Sequence, residues 1–253
     1  VNNNFLEAVR SSQNFLRELC ISERSAFIFS GGAVHLYQLS IGCLADRIPT
    51  DLDIIFQGFE NTDSILRSAL SIGKSHFSQL TVKLEDRWHQ SFFLKGPIIE
   101  AETINNFPVD FVPGAMATHF PRNHNTFPNH CYIYPVFKDT LFQLSRNTSI
   151  PGFGDVQLAH PAFIAFYKLN LMRSRDGKQD ALDIRRLIEM GLVHSKCEET
   201  LQVFQFLSYG NLRIANSLIK MLRDIELSLY EQRRSMPGER DCILSPGIER
   251  IRL

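Results

Sequence analysis

No apolar run in this 253-residue chain reaches the roughly 20 residues that a membrane-spanning helix needs, so no span is expected. Net charge is also missing. Lys and Arg number 27 and Asp and Glu number 27, which excludes a global basic field for a polyanion and leaves room only for local patches. Cysteine is sparse: Cys20, Cys43, Cys131, Cys197 and Cys242 are scattered, odd in number and without a Cys-x-x-Cys pair. That pattern excludes a disulfide framework and predicts reduced, buried thiols in a cytoplasmic setting. Repeats and low-complexity tracts are absent, and the opening VNNNFLEAVRSSQNFLRELC is polar and helix-like, unlike a signal peptide. What remains is an ordinary globular composition, 44% hydrophobic and 21% charged, in a length that allows one large domain or two modest ones.

Hydrophobic spacing predicts an α+β protein. Phe5, Leu6, Val9, Phe15, Leu16 and Leu19 recur at helical spacing over 3–20. A short buried strand is expected at 26–30, a helix at 33–41, a strand at 51–56 and a helix at 63–72 opened by Asn61-Thr62-Asp63. Strands or strand ends follow at 76–87, 91–96, 98–104, 108–113 and 131–137, with a Pro-, Asn- and His-rich loop over 121–130. From 156 the chain reads as helical, with an amphipathic helix over 156–175 and further helices at 178–192, 197–208 and 211–234. The expected division is a mixed-sheet α/β domain over 1–150 and a helical domain over 151–253, with the seam near 145–155.

The segment FIFSGGAVHLYQLSIGCLADRIPTDLDIIF, residues 27–56, concentrates the chemistry. Asp51 and Asp53 lie two apart in an apolar strand, so their side chains share one face while Leu52 and Ile54 share the other. Two carboxylates this close repel, and without a counter-charge one is pushed toward protonation. A divalent cation resolves the conflict, and Mg2+ prefers a few carboxylate oxygens, waters and substrate phosphates. Asp110, in the apolar stretch FPVDFVP, becomes a third ligand if its strand lies beside 51–56. Such a site can hold two metal ions, with Mn2+ able to replace Mg2+. Gly31-Gly32, between a strand and a helix, lets backbone N–H groups and the positive helix end approach phosphate.

The order of these pieces resembles the nucleotidyltransferase fold of the DNA polymerase beta superfamily: strand, Gly31-Gly32, helix, Arg47-x-x-Thr50-Asp51-x-Asp53, then Asp110 on a later apolar strand. Within it, Gly-Gly-Ala-x-x-Leu and Arg-x-x-Thr-Asp-Leu-Asp-Ile look most like the AbiEii-type toxin nucleotidyltransferases and related bacterial proteins. A second region, AHPAFIAFYKLNLMRSRDGKQDALDIRRLI over 159–188, resembles that branch's later motif, with Lys168 on one helix and Lys178, Asp180 and Asp183 opening the next.

The resemblance implies a metal-dependent transfer of a nucleotidyl group from a nucleoside triphosphate such as ATP to an acceptor hydroxyl. It implies that Asp51, Asp53 and Asp110 bind metal and carry catalysis. It also implies that Gly31, Gly32, Arg47, Thr50, Lys168 and Asp180 attend the nucleotide, Lys168 neutralising its phosphates. Arg47 could equally brace the loop before Asp51. The implied acceptor is RNA, such as a tRNA end, or a protein hydroxyl, and the implied partner is a cognate antitoxin. Two alternatives stand beside this: a small-molecule enzyme of the antibiotic-modifying kind, and an inactive nucleotidyltransferase-fold binding protein.

Other residues carry less. His119, His124, His130 and Cys131 cluster in sequence, but their spacing matches no standard zinc site, and a polar surface loop is the better reading. Arg173, Arg175, Arg185 and Arg186 read as a solvated helical face or as a basic rim for a polyanionic acceptor, and Trp88 reads as core.

Overall fold

The computed structural model describes residues 3–19, 26–43, 48–56, 62–89, 92–113, 143–172, 177–208 and 211–235. Within them the order is α1 (Asn3–Glu18), β1 (Ala26–Ile28), α2 (Ser30–Ser40), β2 (Leu52–Phe56), α3 (Thr62–Gly73), β3 (Gln79–His89), β4 (Phe92–Glu102) and β5 (Pro108–Pro113). The order continues with β6 (Ser145–Ile150), β7 (Gly154–Ala159), α4 (Pro161–Met172), α5 (Lys178–Glu189), α6 (Glu198–Leu207) and α7 (Leu212–Ser235). The seven strands form one mixed sheet in the order β3-β4-β5-β2-β1-β7-β6. Two of its neighbouring pairs, β2–β5 and β1–β7, are parallel, and the others are antiparallel. The expected α+β class is the observed one.

Alternation along β1 and β2 sorts the two sheet faces. Leu52 and Ile54 point to the side of α1 and α2: Leu52 meets Gly32 of α2, and Phe111, the register partner of Ile54, stacks on Phe15 of α1 with ring centroids 5.1 Å apart. Phe27 and its partner Ile55 point the other way, where Phe163 of α4 covers Phe27. Phe29, just past β1, packs on Phe163 and Tyr167, each at 4.9 Å. Buried phenylalanines on both faces, each stabilising by roughly 2 kcal/mol, hold the helices against the sheet. Asp53 shares the face of Ile55, so the fold turns it toward α4.

Three local expectations fail for physical reasons. The pieces 91–96 and 98–104 are one strand, β4, running through Pro97. Strand β5 pairs only with Ile99–Glu102, so Pro97 lies where one side of β4 carries no ladder and its missing N–H costs nothing there. Residues 156–159 are strand, not helix, because Val156 and Leu158 alternate into the core and β7 pairs with β1. The helix then starts at Pro161, and it is buried from Pro161 through Leu171 instead of being amphipathic. The thiols also differ from expectation: Cys43 is half-buried and Cys197 exposed, both unpaired.

A polar brace closes the far edge of the sheet. His160 accepts the Ala162 N–H at Nδ1, 3.2 Å, and its Nε2 lies 3.0 Å from Glu199 and 2.8 Å from Arg146 of β6, which also binds Glu199. Burial holds the His160 imidazole below its ordinary pKa, in keeping with a neutral ring. The expected strand at 131–137, Arg47, Arg173, Arg175 and the 119–131 cluster lie outside the described residues. Among the described residues no helix is long and apolar enough to cross a membrane.

Candidate functional site

The parallel pairing of β2 with β5 sets Asp53 directly beside Asp110. The two are register partners on neighbouring strands, roughly 4.8 Å apart in backbone spacing, with side chains on the same face. Asp51 sits exposed just before β2, two residues from Asp53. The fold thus gathers the three carboxylates singled out from the sequence at one end of two adjacent strands. Thr50, exposed, precedes them.

This gathering has an electrostatic signature. The Asp53 carboxyl is pushed up from an ordinary value of 3.8 to about 7. Desolvation is the largest cause, followed by repulsion from Asp51 and then from Asp110. Attraction to Lys168 and a side-chain hydrogen bond from Ser30 pull in the other direction and are outweighed.

The pH dependence follows. A carboxyl whose pKa is raised on folding stabilises the fold while protonated in both states, and that contribution is lost as pH rises through the folded value of about 7. Without divalent cation, the melting temperature of the wild type should therefore fall between about pH 4 and about pH 7 more steeply than that of Asp53→Asn. Added Mg2+ at the upper pH should restore it in the wild type alone. Equal slopes for the two proteins would show that Asp53 holds no such proton.

Helix α2 begins at Ser30, so Gly31 and Gly32 form its first turn and do not precede it as a separate turn. The chain enters through an unusual conformation: Ser30 has φ 55°, left-handed for a residue with a side chain, at a cost on the order of 1–2 kcal/mol. That conformation accompanies the hydroxyl's hydrogen bond to Asp53. The preceding residue, Phe29, contributes no side-chain cap, so side-chain capping does not satisfy the first-turn amides beside the carboxylates.

The two glycines differ. A Cβ on Gly32 would come within 3.2 Å of Leu52 and 3.3 Å of Ile28, so this glycine lets α2 lie close on the sheet. A Cβ on Gly31 would instead face the Asp183 carboxylate at 3.7 Å. Gly31 is the one turned toward the polar side.

Lys168, Asp180 and Asp183 come together behind this turn. The Lys168 ammonium lies 3.2 Å from Asp180 and 2.8 Å from Asp183, and Arg186 holds the other Asp183 oxygen at 2.8 Å. Lys168 is only 3% exposed. Expected to neutralise phosphate, it is engaged here by two carboxylates and acts on Asp53 through the electrostatic field. Asp180, expected at the nucleotide, is buried in the same network. Arg186, read from sequence as solvated surface, is a buried clamp on Asp183; its i,i+3 spacing was the signal that could have shown it. Ser30 was the other residue whose role sequence reasoning missed.

The donor type, carboxylate oxygen, suits a hard divalent cation, and Asp53 shows the repulsion that a counter-ion would relieve. As the side chains stand, no group of three or more His, Cys, Asp or Glu among the described residues is disposed to ligate one ion.

Comparison with known proteins finds no matching family model and no matching curated protein. Two solved structures share a similar chain course. An antigenic nucleotidyltransferase-like protein from Paracoccidioides brasiliensis has a TM-score of 0.43 and 17% identity, over 87% of this chain and 94% of that one. The lincosamide antibiotic adenylyltransferase LnuA, lincomycin-bound, has a TM-score of 0.41 and 14% identity, over 75% of this chain and 98% of that one. Similarity at this level assigns neither activity nor substrate, so function is read from the site.

Proposed function

We propose that this chain is a metal-dependent nucleotidyltransferase. It takes a nucleoside triphosphate, transfers the nucleotidyl group to an acceptor hydroxyl and releases pyrophosphate. The observation that carries the reading is the register pairing of Asp53 with Asp110, beside Asp51 and the first turn of α2.

Asp51, Asp53 and Asp110 would hold one or two Mg2+ ions, which supply Lewis-acid charge for the triphosphate and lower the pKa of a bound hydroxyl. The chain's own groups do the rest. Asp110, the register partner of Asp53, would receive the proton of the acceptor hydroxyl at a carboxylate oxygen. The backbone N–H groups of the first turn of α2 bind phosphate, favoured by the positive end of the helix. Ser30 orients the Asp53 carboxylate through its hydroxyl. Lys168 positions: it holds Asp180 and Asp183 against α2 and keeps positive charge behind Asp53.

The test is transfer in vitro. The protein is incubated with Mg2+, each α-labelled nucleoside triphosphate, and total RNA or the protein itself, beside an Asp51→Ala/Asp53→Ala control. Label entering RNA or protein only with intact aspartates is the expected result. Label in neither pool, with metal-dependent triphosphate binding intact, would move the acceptor to a small molecule. Neither transfer nor triphosphate binding would leave a scaffold of this fold in a binding role.

A further inference from the structure

A cavity of about 630 Å3 lies away from the carboxylates, between the turn after α5 and one side of α7. From α7 it is lined by Arg223, Leu227, Tyr230 and Arg233, and from the turn by His194 and Lys196. The residues at 223, 227 and 230 recur at helical spacing and so form one stripe of α7, with Arg233 on its flank. Its apolar members are unusually open: Leu227 is 53% exposed and Tyr230 59%. An aromatic ring and an aliphatic side chain left this open mark a surface built for contact, with the Arg234 guanidinium over the Tyr230 ring, 5.4 Å from its centroid.

Charge sets the sign of the ligand. Lys196, Arg223 and Arg233 share the cavity lining with one carboxylate, Glu226, and Arg233 also pairs with Glu189 at 3.7 Å. Both oxygens of Glu226 are already taken, one by the Ser195 N–H and one by the Ser195 hydroxyl, each at 2.6 Å. Those two bonds pin the turn to α7, so Lys196 is presented from a fixed loop. Lys196 and Arg223 have no side-chain ion-pair or hydrogen-bond partner among the described residues, in contrast to the buried Lys168 and Arg186. In a chain with equal numbers of acidic and basic residues, this is a local excess of positive charge around an exposed ring.

Phosphate-binding cations around a stackable aromatic match single-stranded nucleic acid: the backbone meets the cations and a base meets the ring. Position adds a second argument. Ile188, near the end of α5, lines the cavity, while Asp183 of the same helix sits against the first turn of α2. Five residues, about 7.5 Å along α5, separate the two, so one helix joins the groove to the turn beside the carboxylates. A polymer held in the groove extends along that helix toward the turn, whereas a small acceptor held there does not.

We propose that the groove between the 194–196 turn and α7 binds the body of a single-stranded RNA acceptor. This rests on the transferase reading for its purpose but not for its test. The full chain is titrated, without nucleotide, into a fluorescent single-stranded RNA of about a dozen nucleotides, and anisotropy is read at several salt concentrations. Lys196→Glu/Arg223→Glu should weaken binding at least about tenfold and flatten its salt dependence. Tyr230→Ala should weaken it severalfold with the salt dependence unchanged. Lys74→Glu, at an exposed position outside the groove, should bind like the wild type, and polyglutamate should not displace the RNA.

Lys196, Arg223 and Tyr230 are exposed, and equal melting temperatures would confirm intact folds. No RNA binding, binding indifferent to the groove variants, or equal displacement by polyglutamate would overturn the proposal. Groove-dependent RNA binding in a protein that transfers no nucleotide would uphold the groove and sink the transferase reading. Normal transfer to RNA by the groove variants would do the reverse.

Discussion

Asp53→Asn should abolish nucleotidyl transfer while leaving the protein at least as stable as the wild type. The side chain is partly buried, and desolvation and two neighbouring carboxylates already disfavour its charge. The amide keeps the shape, can still pair with the Ser30 hydroxyl and removes the repulsion from Asp51 and Asp110. Above about pH 7, where the wild-type carboxyl ionises, the variant should melt higher. Transfer should fall by about a thousandfold or more, on the order of 4 kcal/mol of transition-state stabilisation. Opposite signs for stability and activity are what a site assembled for function against its own electrostatics produces. A variant that lost activity only in proportion to lost folding would instead make Asp53 a structural residue.

Lys168→Met should be the most destabilising of the substitutions considered. It leaves the shape of the stem but removes the cation 2.8 Å from Asp183 and 3.2 Å from Asp180. Both carboxylates are at least 95% buried and would remain there without it. Removing one partner of a buried ion pair typically costs about 3–5 kcal/mol, much of a domain's net stability of roughly 5–15 kcal/mol. Chemical denaturation should show the midpoint shifted by that amount, and triphosphate binding should weaken even at denaturant-free, fully folded conditions. Combining Lys168→Met with Asp180→Asn and Asp183→Asn should recover part of the stability, because fewer uncompensated charges stay buried. A loss below about 1 kcal/mol for the single substitution would show that solvent reaches the network and that Lys168 does not hold α5 against α2.

The resemblance and the spacing made the carboxylates legible, but not their relation. The strand at 108–113 and the Asp51-x-Asp53 pair could be read from alternation and apolar flanks. That Asp53 faces Asp110 depends on a parallel pairing between strands 57 residues apart in sequence, for which no local signal exists. Lys168 could be picked out as a lysine in an apolar helix. Its partners could not, because α4 is buried on every side and has no polar face to show where the ammonium points. The hairpin of β6 and β7 was hidden because Val156-Gln157-Leu158-Ala159 runs straight into a helical pattern, so the helix absorbed it. The left-handed φ of Ser30 was invisible, since serine gives no sign of it. Gly32 also lets α2 pack close on the sheet, a role that only its neighbours Leu52 and Ile28 reveal.

The most direct measurement is a crystal structure of the protein with Mn2+ and a non-hydrolysable nucleoside triphosphate, with the metal located by anomalous scattering. The account predicts a Mn2+ peak about 2.1 Å from oxygens of Asp53 and Asp110, with Asp51 drawn in and the phosphates at the first turn of α2. Mn2+ and nucleotide bound elsewhere, with Asp53 and Asp110 touching neither, would contradict it.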